Sequence, residues 1–308
     1  PRDYVFHTVA GTVPTGTNQG SWTVKWKAPS QTVGRVTFHA SGNAANGNGA
    51  QTGDFIYVTS ASMQAGVALP DVASVSAASF AAGPLAPETI ASAFGSGFAQ
   101  NVTLASTVPL PTTLDGSQVV IRDAFNIERP APLFFVSAGQ VNFQVTPGLS
   151  AGPVLVTIGT SNGAVSAGSM NLESVAPGLF SANGTGQGLA AAVALRIRNG
   201  VQTYEPVTRF DSASGQIVAV PIDLGPTTDQ VILLLFATGV RFRSQLAAVS
   251  CDVGGQPVTP DYAGPQLEFV GLDQINVPLS RNFIGRGSVN VRLTVDGKTS
   301  NQVTISIK

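Results

Sequence analysis

Hydrophobic and polar positions alternate along much of this chain with a period of two. Trp22, Val24 and Trp26 interleave with Thr23, Lys25 and Lys27, and Val36, Phe38 and Ala40 interleave with Arg35, Thr37 and His39. That period belongs to a β-strand with one covered face, so both stretches are predicted as half-buried strands with the tryptophans facing inward. Residues 54–60 return as another strand after a loop over 41–53, which is rich in Gly and Asn and so tolerates positive φ. Residues 64–89 read as a linker and a first edge strand. Farther on, 190–197, 201–210 and 216–224 read as three strands, the first two joined by a turn at Arg198-Asn199-Gly200. Near the end, Val289, Val291, Leu293 and Val295 face one way and Asn290, Arg292, Thr294 and Asp296 the other. Asp296-Gly297 is a two-residue type I′ hairpin signal, with Val303, Ile305 and Ile307 pairing back. The strongest apolar run, 231–237, fits a buried strand and falls far short of the ~18–20 residues that span a bilayer.

The chain also uses one pattern twice. Leu133 matches Leu267, Phe135 matches Phe269, and Gln140-Val141-Asn142 matches Gln274-Ile275-Asn276, all at one offset. The stretch 152–158 answers to 287–293, and Ala93-Phe94-Gly95-Ser96-Gly97 answers more loosely to Leu235-Phe236-Ala237-Thr238-Gly239. An internal repeat decides the fold before any local feature does. It predicts two similar β modules in tandem, with Phe135 and Phe269 as equivalent core residues and Gln140 and Gln274 at equivalent positions. Adjacent Phe134 and Phe135 must point to opposite faces of a strand. Glu268 stands where the first copy has Phe134, so Phe134 is the outward one, and Phe134 and Glu268 mark a candidate interaction surface.

Composition narrows the class. Charged residues make up 11% of the chain, against ~25% in ordinary globular chains, and Gly (34) and Pro (20) help fill the deficit. Many short strands joined by tight turns have this composition. The net charge of −1 offers nothing to nucleic acid or an anionic membrane. Cys251 is the one cysteine, so no intrachain disulfide forms. The chain begins at Pro1 without an initiator Met, which predicts a processed or excised polypeptide.

Two resemblances add to this. The segment 22–60, with Trp26-Lys-Ala-Pro29, Val36-Thr-Phe38, Gly42-Asn-Ala-Ala-Asn-Gly47 and Gly53-Asp-Phe-Ile-Tyr57, resembles the C-terminal half of a reelin-type (Reeler-like) domain found in secreted bacterial surface proteins. The domain's first half would then be missing, unless residues 4–12 supply its edge strand. No haem carries over, because the CxxCH motif of some relatives lies in that half and is not present in this chain. From about residue 75 onward the chain is similar to an uncharacterised C-terminal region of secreted acidobacterial (Solibacter-type) proteins. Ala131-Pro-Leu-Phe-Phe-Val-Ser137, Gly139-Gln-Val-Asn-Phe-Gln-Val145, Ala176-Pro-Gly-Leu-Phe-Ser-Ala-Asn-Gly-Thr-Gly-Gln-Gly188 and Gly271-Leu-Asp-Gln-Ile-Asn276 carry the likeness. It implies immunoglobulin-like modules serving as spacers and interaction units, and no assigned activity.

Candidate chemistry is thin. The two histidines, His7 and His39, are far apart, and no Ser lies in a G-x-S-x-G elbow. Zinc lacks ligands. The run Asn183-Gly-Thr-Gly-Gln-Gly188 has neither the Lys nor the following helix of a phosphate loop. Calcium would need clustered carboxylates, and the 43–54 loop offers only Asp54 beside Asn43, Asn46 and Asn48.

The chain is therefore expected to be all-β, with tandem immunoglobulin-like β-sandwich domains. The expected divisions are a partial Reeler-like sandwich at 1–70, a first module at 71–172 and a larger second module at 173–308. The expected function is non-catalytic and structural: a subunit of an extracellular surface assembly or filament, or an adhesion spacer. The alternative is a carbohydrate- or protein-binding module of a secreted surface protein. A half sandwich leaves an unpaired strand edge that recruits another strand. The expected partners are accordingly further copies of the chain, joined by β-strand complementation into an oligomer or filament, or a surface glycan or protein. No cofactor, metal, nucleic acid or membrane span is expected.

Overall fold

The computed structural model describes residues 5, 20–26, 35–50, 52–64, 69, 71–163 and 165–308. They fall in two compact units, 1–68 and 69–308. In the first unit, β1 (Arg35–Ala44) and β2 (Phe55–Gln64) form an antiparallel hairpin in continuous register from Arg35↔Gln64 to Ala44↔Phe55. Its loop is closed by its own polar side chains: Asp54 accepts from the Asn46 backbone N–H (3.1 Å) and from Asn43 Nδ2 (3.2 Å). The inward tryptophans of the sequence pattern are not found. Residues 20–26 form no strand, and Trp22 and Trp26 are 57% and 47% exposed. Without a ladder, alternation assigns no face. Trp26 instead sets its ring edge-on to Phe38, with centroids 5.2 Å apart. Of the candidate edge strand at 4–12 only Val5 is among the described residues, and His7 lies outside them.

The second unit begins with a series of short strands. These are β3 (Ala73–Ser76), β4 (Ile90–Phe94), β5 (Thr103–Leu104), β6 (Thr113–Leu114) and β7 (Ser117–Arg122). They continue with β8 (Glu128–Pro130), β9 (Leu133–Val136), β10 (Gln140–Gln144), β11 (Gly152–Gly159) and β12 (Val165–Leu172). One sheet runs β3-β4-β10-β9-β5 and the other β12-β11-β7-β6, with β8 also on β7. Side chains from both sheets share one core that includes Leu133, Phe143, Ile121 and Ile158. Each such side chain contributes ~1.5–3 kcal/mol by leaving water.

A second series follows. It comprises β13 (Gly178–Leu179), β14 (Ala192–Arg198), β15 (Val201–Pro206), β16 (Thr208–Asp211), β17 (Gln216–Ala219) and β18 (Gln230–Thr238). After these come β19 (Val249–Val253), β20 (Gln256–Val258), β21 (Tyr262–Pro265), β22 (Asp273–Pro278), β23 (Gly287–Val295) and β24 (Lys298–Ile307). The large sheet is β15-β14-β18-β22-β21, with β13 beside β18, and the other is β20-β19-β23-β24. The single strand expected over 201–210 breaks in two, because β15 pairs with β14 while β16 pairs with β17 in a separate hairpin. A second core, from Val175 to Ile307, fills this sandwich, and the two cores divide between Leu172 and Val175. Along β23 the buried positions are Val289, Val291, Leu293 and Val295. Asp296 and Gly297 both take positive φ (46° and 77°), as a type I′ turn requires. The fold is all-β and built from antiparallel sheets.

Strand register relates the two modules. β10 lies between β9 and β4, and β22 between β21 and β18. Gln140 sits opposite Phe94, and Gln274 opposite Phe236. Asn142 sits opposite Phe135, but Asn276 sits opposite Tyr262 rather than Phe269. Four residues (137–140) separate Val136 from its partner Val141, whereas eleven (264–274) separate Ala263 from its partner Ile275. The second hairpin thus carries an insertion of seven residues, and Leu267 and Phe269 lie in its loop.

The pairing of Phe135 with Phe269 as core residues is therefore corrected. Phe269 is 65% exposed on a loop, and Phe135 is half-buried. The first copy departs from simple alternation because β9 bulges. Phe143 pairs with Leu133 while Asn142 pairs with Phe135, leaving Phe134 as the extra residue. Leu133 and Val136 then face the core although three positions apart, and both phenylalanines between them stay half-buried outside it.

Candidate functional site

The two modules of the second unit meet through polar bonds that neither core supplies. Arg241 forks between them: Nη1 bonds Glu88 Oε2 of the first module at 2.6 Å, and Nε bonds Asp273 Oδ1 of its own module at 2.9 Å. Asp273 is wholly buried and also accepts the Val240 backbone N–H at 2.8 Å. Burial pushes its carboxyl above the ordinary carboxylate value, and the Arg241 charge pulls it part of the way back. Beside it, Thr238 Oγ1 accepts the Ile90 N–H (3.0 Å) and donates to the Gly271 carbonyl (2.9 Å), tying β18 to the start of β4.

Glycine permits the close approach. At Gly239 (φ 78°) a Cβ would sit 2.2 Å from the Ala176 carbonyl oxygen of its own module and 3.2 Å from Thr89 Oγ1 of the first, and at Gly186 (φ 78°) 2.4 Å from the Ser79 carbonyl oxygen of the first. Both positions exclude any side chain. The Gly-rich run 183–188 is thus a packing turn against the first module. Asn301 Nδ2 fastens it by donating to the Gly186 carbonyl at 2.7 Å.

Between the modules lies an apolar cleft of about 530 Å³. The first module lines it with Ile90, Leu110 and Phe134. The second lines it with Phe180, Phe236, Phe269 and Leu272, and Glu268 is the charged residue at this wall. Phe134 and Glu268, matched across the repeat, therefore face one cleft from opposite modules. Gln140 and Gln274 do not line it. Each donates through Nε2 to the side-chain oxygen of the asparagine two residues on, Asn142 or Asn276, at 2.7 Å in both modules.

Sequence reasoning passed over Arg241, Glu88, Phe180 and Phe236 as site residues. Phe180 and Phe236 stood inside quoted motifs, and the partnership of Arg241 with Glu88 spans 153 positions and leaves no local signal.

Other chemistry is structural. Cys251 is fully buried, and burial pushes its thiol up to about 12, so it carries no thiolate at neutral pH. The Asp229 side chain, wholly covered, receives Arg196 Nη1 at 2.9 Å and Arg198 Nη2 at 2.6 Å. Arg196 bonds Glu205 as well, and this cluster clamps β14, β15 and the turn before β18. Among the described residues no three His, Cys, Asp or Glu side chains gather as metal ligands. Among them, too, no helix is long and apolar enough to cross a membrane.

The fold and cleft thus define an all-β protein with two sandwich modules joined across a bonded junction. No family model and no curated protein matches the chain. Among solved structures it is similar to SGBP-B of the Bacteroides ovatus mixed-linkage glucan utilization locus, determined in complex with a mixed-linkage heptasaccharide. The identity is 12% and the TM-score 0.29, with 90% of this chain and 54% of that chain covered. The chain spans about half the length of that protein.

Proposed function

We propose that this chain is a non-catalytic structural segment of an extracellular surface protein, in which the tandem modules act as one rigid arm. The Arg241 fork carries the reading. A guanidinium with 11% side-chain exposure, held by buried Asp273 in its own module and bonded to Glu88 in the other, resists bending because the 2.6 Å charge-assisted bond to Glu88 must break before the modules part. A flexible tether would keep such groups in water. Nitroxide labels on cysteines introduced at exposed Ser161 and Ser288, one in each module, test this by pulsed electron resonance. Buried Cys251 stays unlabelled. A single narrow distance is expected, broadened by Arg241→Ala. A broad distribution in the unaltered junction would overturn the rigid arm.

The cleft favours a second reading, a binding module. Its phenylalanine faces and single carboxylate suit an apolar protein segment better than a sugar, which needs several polar partners around its hydroxyls. A glycan array set against a peptide display library separates the two, with Phe134→Ala as the control that must abolish binding.

A further inference from the structure

We propose that β15 is the seam of a symmetric dimer, in which the β15 strands of two copies of this chain pair antiparallel and join their large sheets into one.

Strand register shows which backbone groups of β15 turn outward. Asn199 and Gly200 take positive φ (50° and 80°) and close a two-residue turn between β14 and β15. The Phe236 N–H bonds the Ala191 carbonyl at 3.1 Å, and bonded pairs recur every second residue, so Val193, Leu195 and Ile197 turn their backbone groups toward β18. Ala194, Arg196 and Arg198 then turn theirs toward β15, where they meet Glu205, Thr203 and Val201. Gln202 and Tyr204 are left with N–H and C=O directed away from the sheet. These groups are within reach of a partner. Residues 201–204 are all exposed, Val201 by 65% and Tyr204 by 64%, and among the described residues β15 pairs with β14 alone.

The other edges of the two sandwiches are closed or short. The long strand β12 is covered by bridges from Asp71 and Leu85, and β24 by bridges from Leu189 and Ile222. Strands β5, β6, β8 and β20 have two or three residues each, and β3 and β21 have four, largely covered. By contrast β15 has six, with no lysine and no bulge to turn a neighbour away. Its one charge is already matched, because both Glu205 carboxylate oxygens accept from Arg196, at 2.6 and 2.9 Å. Pro206, which has no N–H, bounds the open stretch.

The occupant that fits is a second β15. An antiparallel pair about a two-fold axis between the two copies of Thr203 sets Gln202 of one copy against Tyr204 of the other, so both outward-facing residues of each chain are bonded. Glu205 then lies opposite Val201, and no like charges meet across the seam. On the outer face Tyr204 stands in a cross-strand row with Leu195 and Ile232, both half-buried. Pairing brings Gln202 and Ile197 of the second copy to the open end of that row and takes the Tyr204 ring out of water. The contact is isologous, so it closes at two copies and does not grow into a filament. A seam of one short strand makes a weak dimer that depends on concentration.

Sedimentation velocity of the full chain over a concentration series tests this, with a reversible dimer and no larger species expected. Gln202→Lys with Tyr204→Lys sets lysine against lysine in both bonded pairs. Gln202→Pro removes an outward N–H and leaves the ladder to β14 intact. Each change should weaken dimerisation at least about tenfold. Should the proline chain fail to fold, the lysine chain carries the test, since both of its substitutions lie at exposed positions. Cross-linking reads the register separately. Thr203→Cys should form a disulfide between copies under a mild oxidant, because each Cα would face its own counterpart at ~4.5 Å. Val201→Cys, two residues from the axis on each strand, should not. Buried Cys251 takes no part. An unaltered chain that stays monomeric, growth beyond the dimer, a dimer indifferent to the paired lysines, or equal cross-linking at 201 and 203 would each overturn the proposal. The inter-label distance, read where the chain is monomeric, judges the rigid arm independently of every one of these outcomes.

Discussion

The two hairpins that carry the repeated motif show how far similarity in letters extends to similarity in structure. In the first, Leu133 to Val136 form a bulged strand that returns through a short turn into Gln140-Val141-Asn142. In the second, Tyr262 to Pro265 form the equivalent strand, and the matching letters Leu267 and Phe269 fall in the inserted loop. There Leu267 is 87% exposed with a φ of 79°, a strained value for a bulky residue. The Gln266 side chain braces the loop by accepting the Glu268 and Phe269 N–H groups, both at 3.0 Å. The Gln-x-Asn segment keeps its role in both copies because ladder pairing and a side-chain hydrogen bond hold it. The Leu-x-Phe segment does not, because nothing in the second copy requires it to be a strand.

The sharpest break in the comparison should come from the core. Phe143→Ala, at a fully buried position opposite Leu133, should cost about 3–5 kcal/mol in denaturant unfolding.

Arg241→Ala should cost a similar ~3–5 kcal/mol, since it leaves Asp273 buried and unpaired. Here pH sharpens the result. The folded-state value of Asp273 already lies above the ordinary 3.8, and losing Arg241 raises it further. A carboxyl raised in this way favours the folded state below its unfolded value and loses that contribution as pH rises through the folded one. The cost of Arg241→Ala should therefore be smaller near pH 4 than at pH 7, as melting curves across that range would register. A cost independent of pH would mean that Asp273 is not the group left stranded.

The matched polar pair should behave alike. Gln140→Ala and Gln274→Ala each lose one side-chain hydrogen bond and should each cost about 0.5–1.5 kcal/mol, and clearly unequal values would break the equivalence. The smallest effect belongs to Phe269→Ala, expected within about 0.5 kcal/mol because the ring is mostly in solvent. A core-sized loss there would restore the original match.

The all-β class, the strands from 287 onward, the type I′ turn at Asp296-Gly297 and the tandem arrangement could be read from periodicity and repetition. These features are local, or repeat at a fixed offset, so side-chain alternation and backbone preference carry them. Phe134 lies outside the core, but so does Phe135, and the opposite faces that alternation assigned to them are not found. Opposite faces for neighbouring residues hold only in an unbulged strand, and the extra residue in β9 overrides that rule.

Three further features depended on long-range packing. One is the position of the hairpin insertion: strand register is set by which carbonyl each N–H meets across the sheet, and the letters of one strand do not encode it. Another is the module junction, where Arg241 meets Glu88 and Thr238 meets Ile90, pairs that become neighbours only after both sandwiches have closed. The last is the cleft, whose walls come from well-separated segments of chain. Alternation tells a residue which face of its own strand it occupies. What that face meets is decided by the packing of one sheet against another.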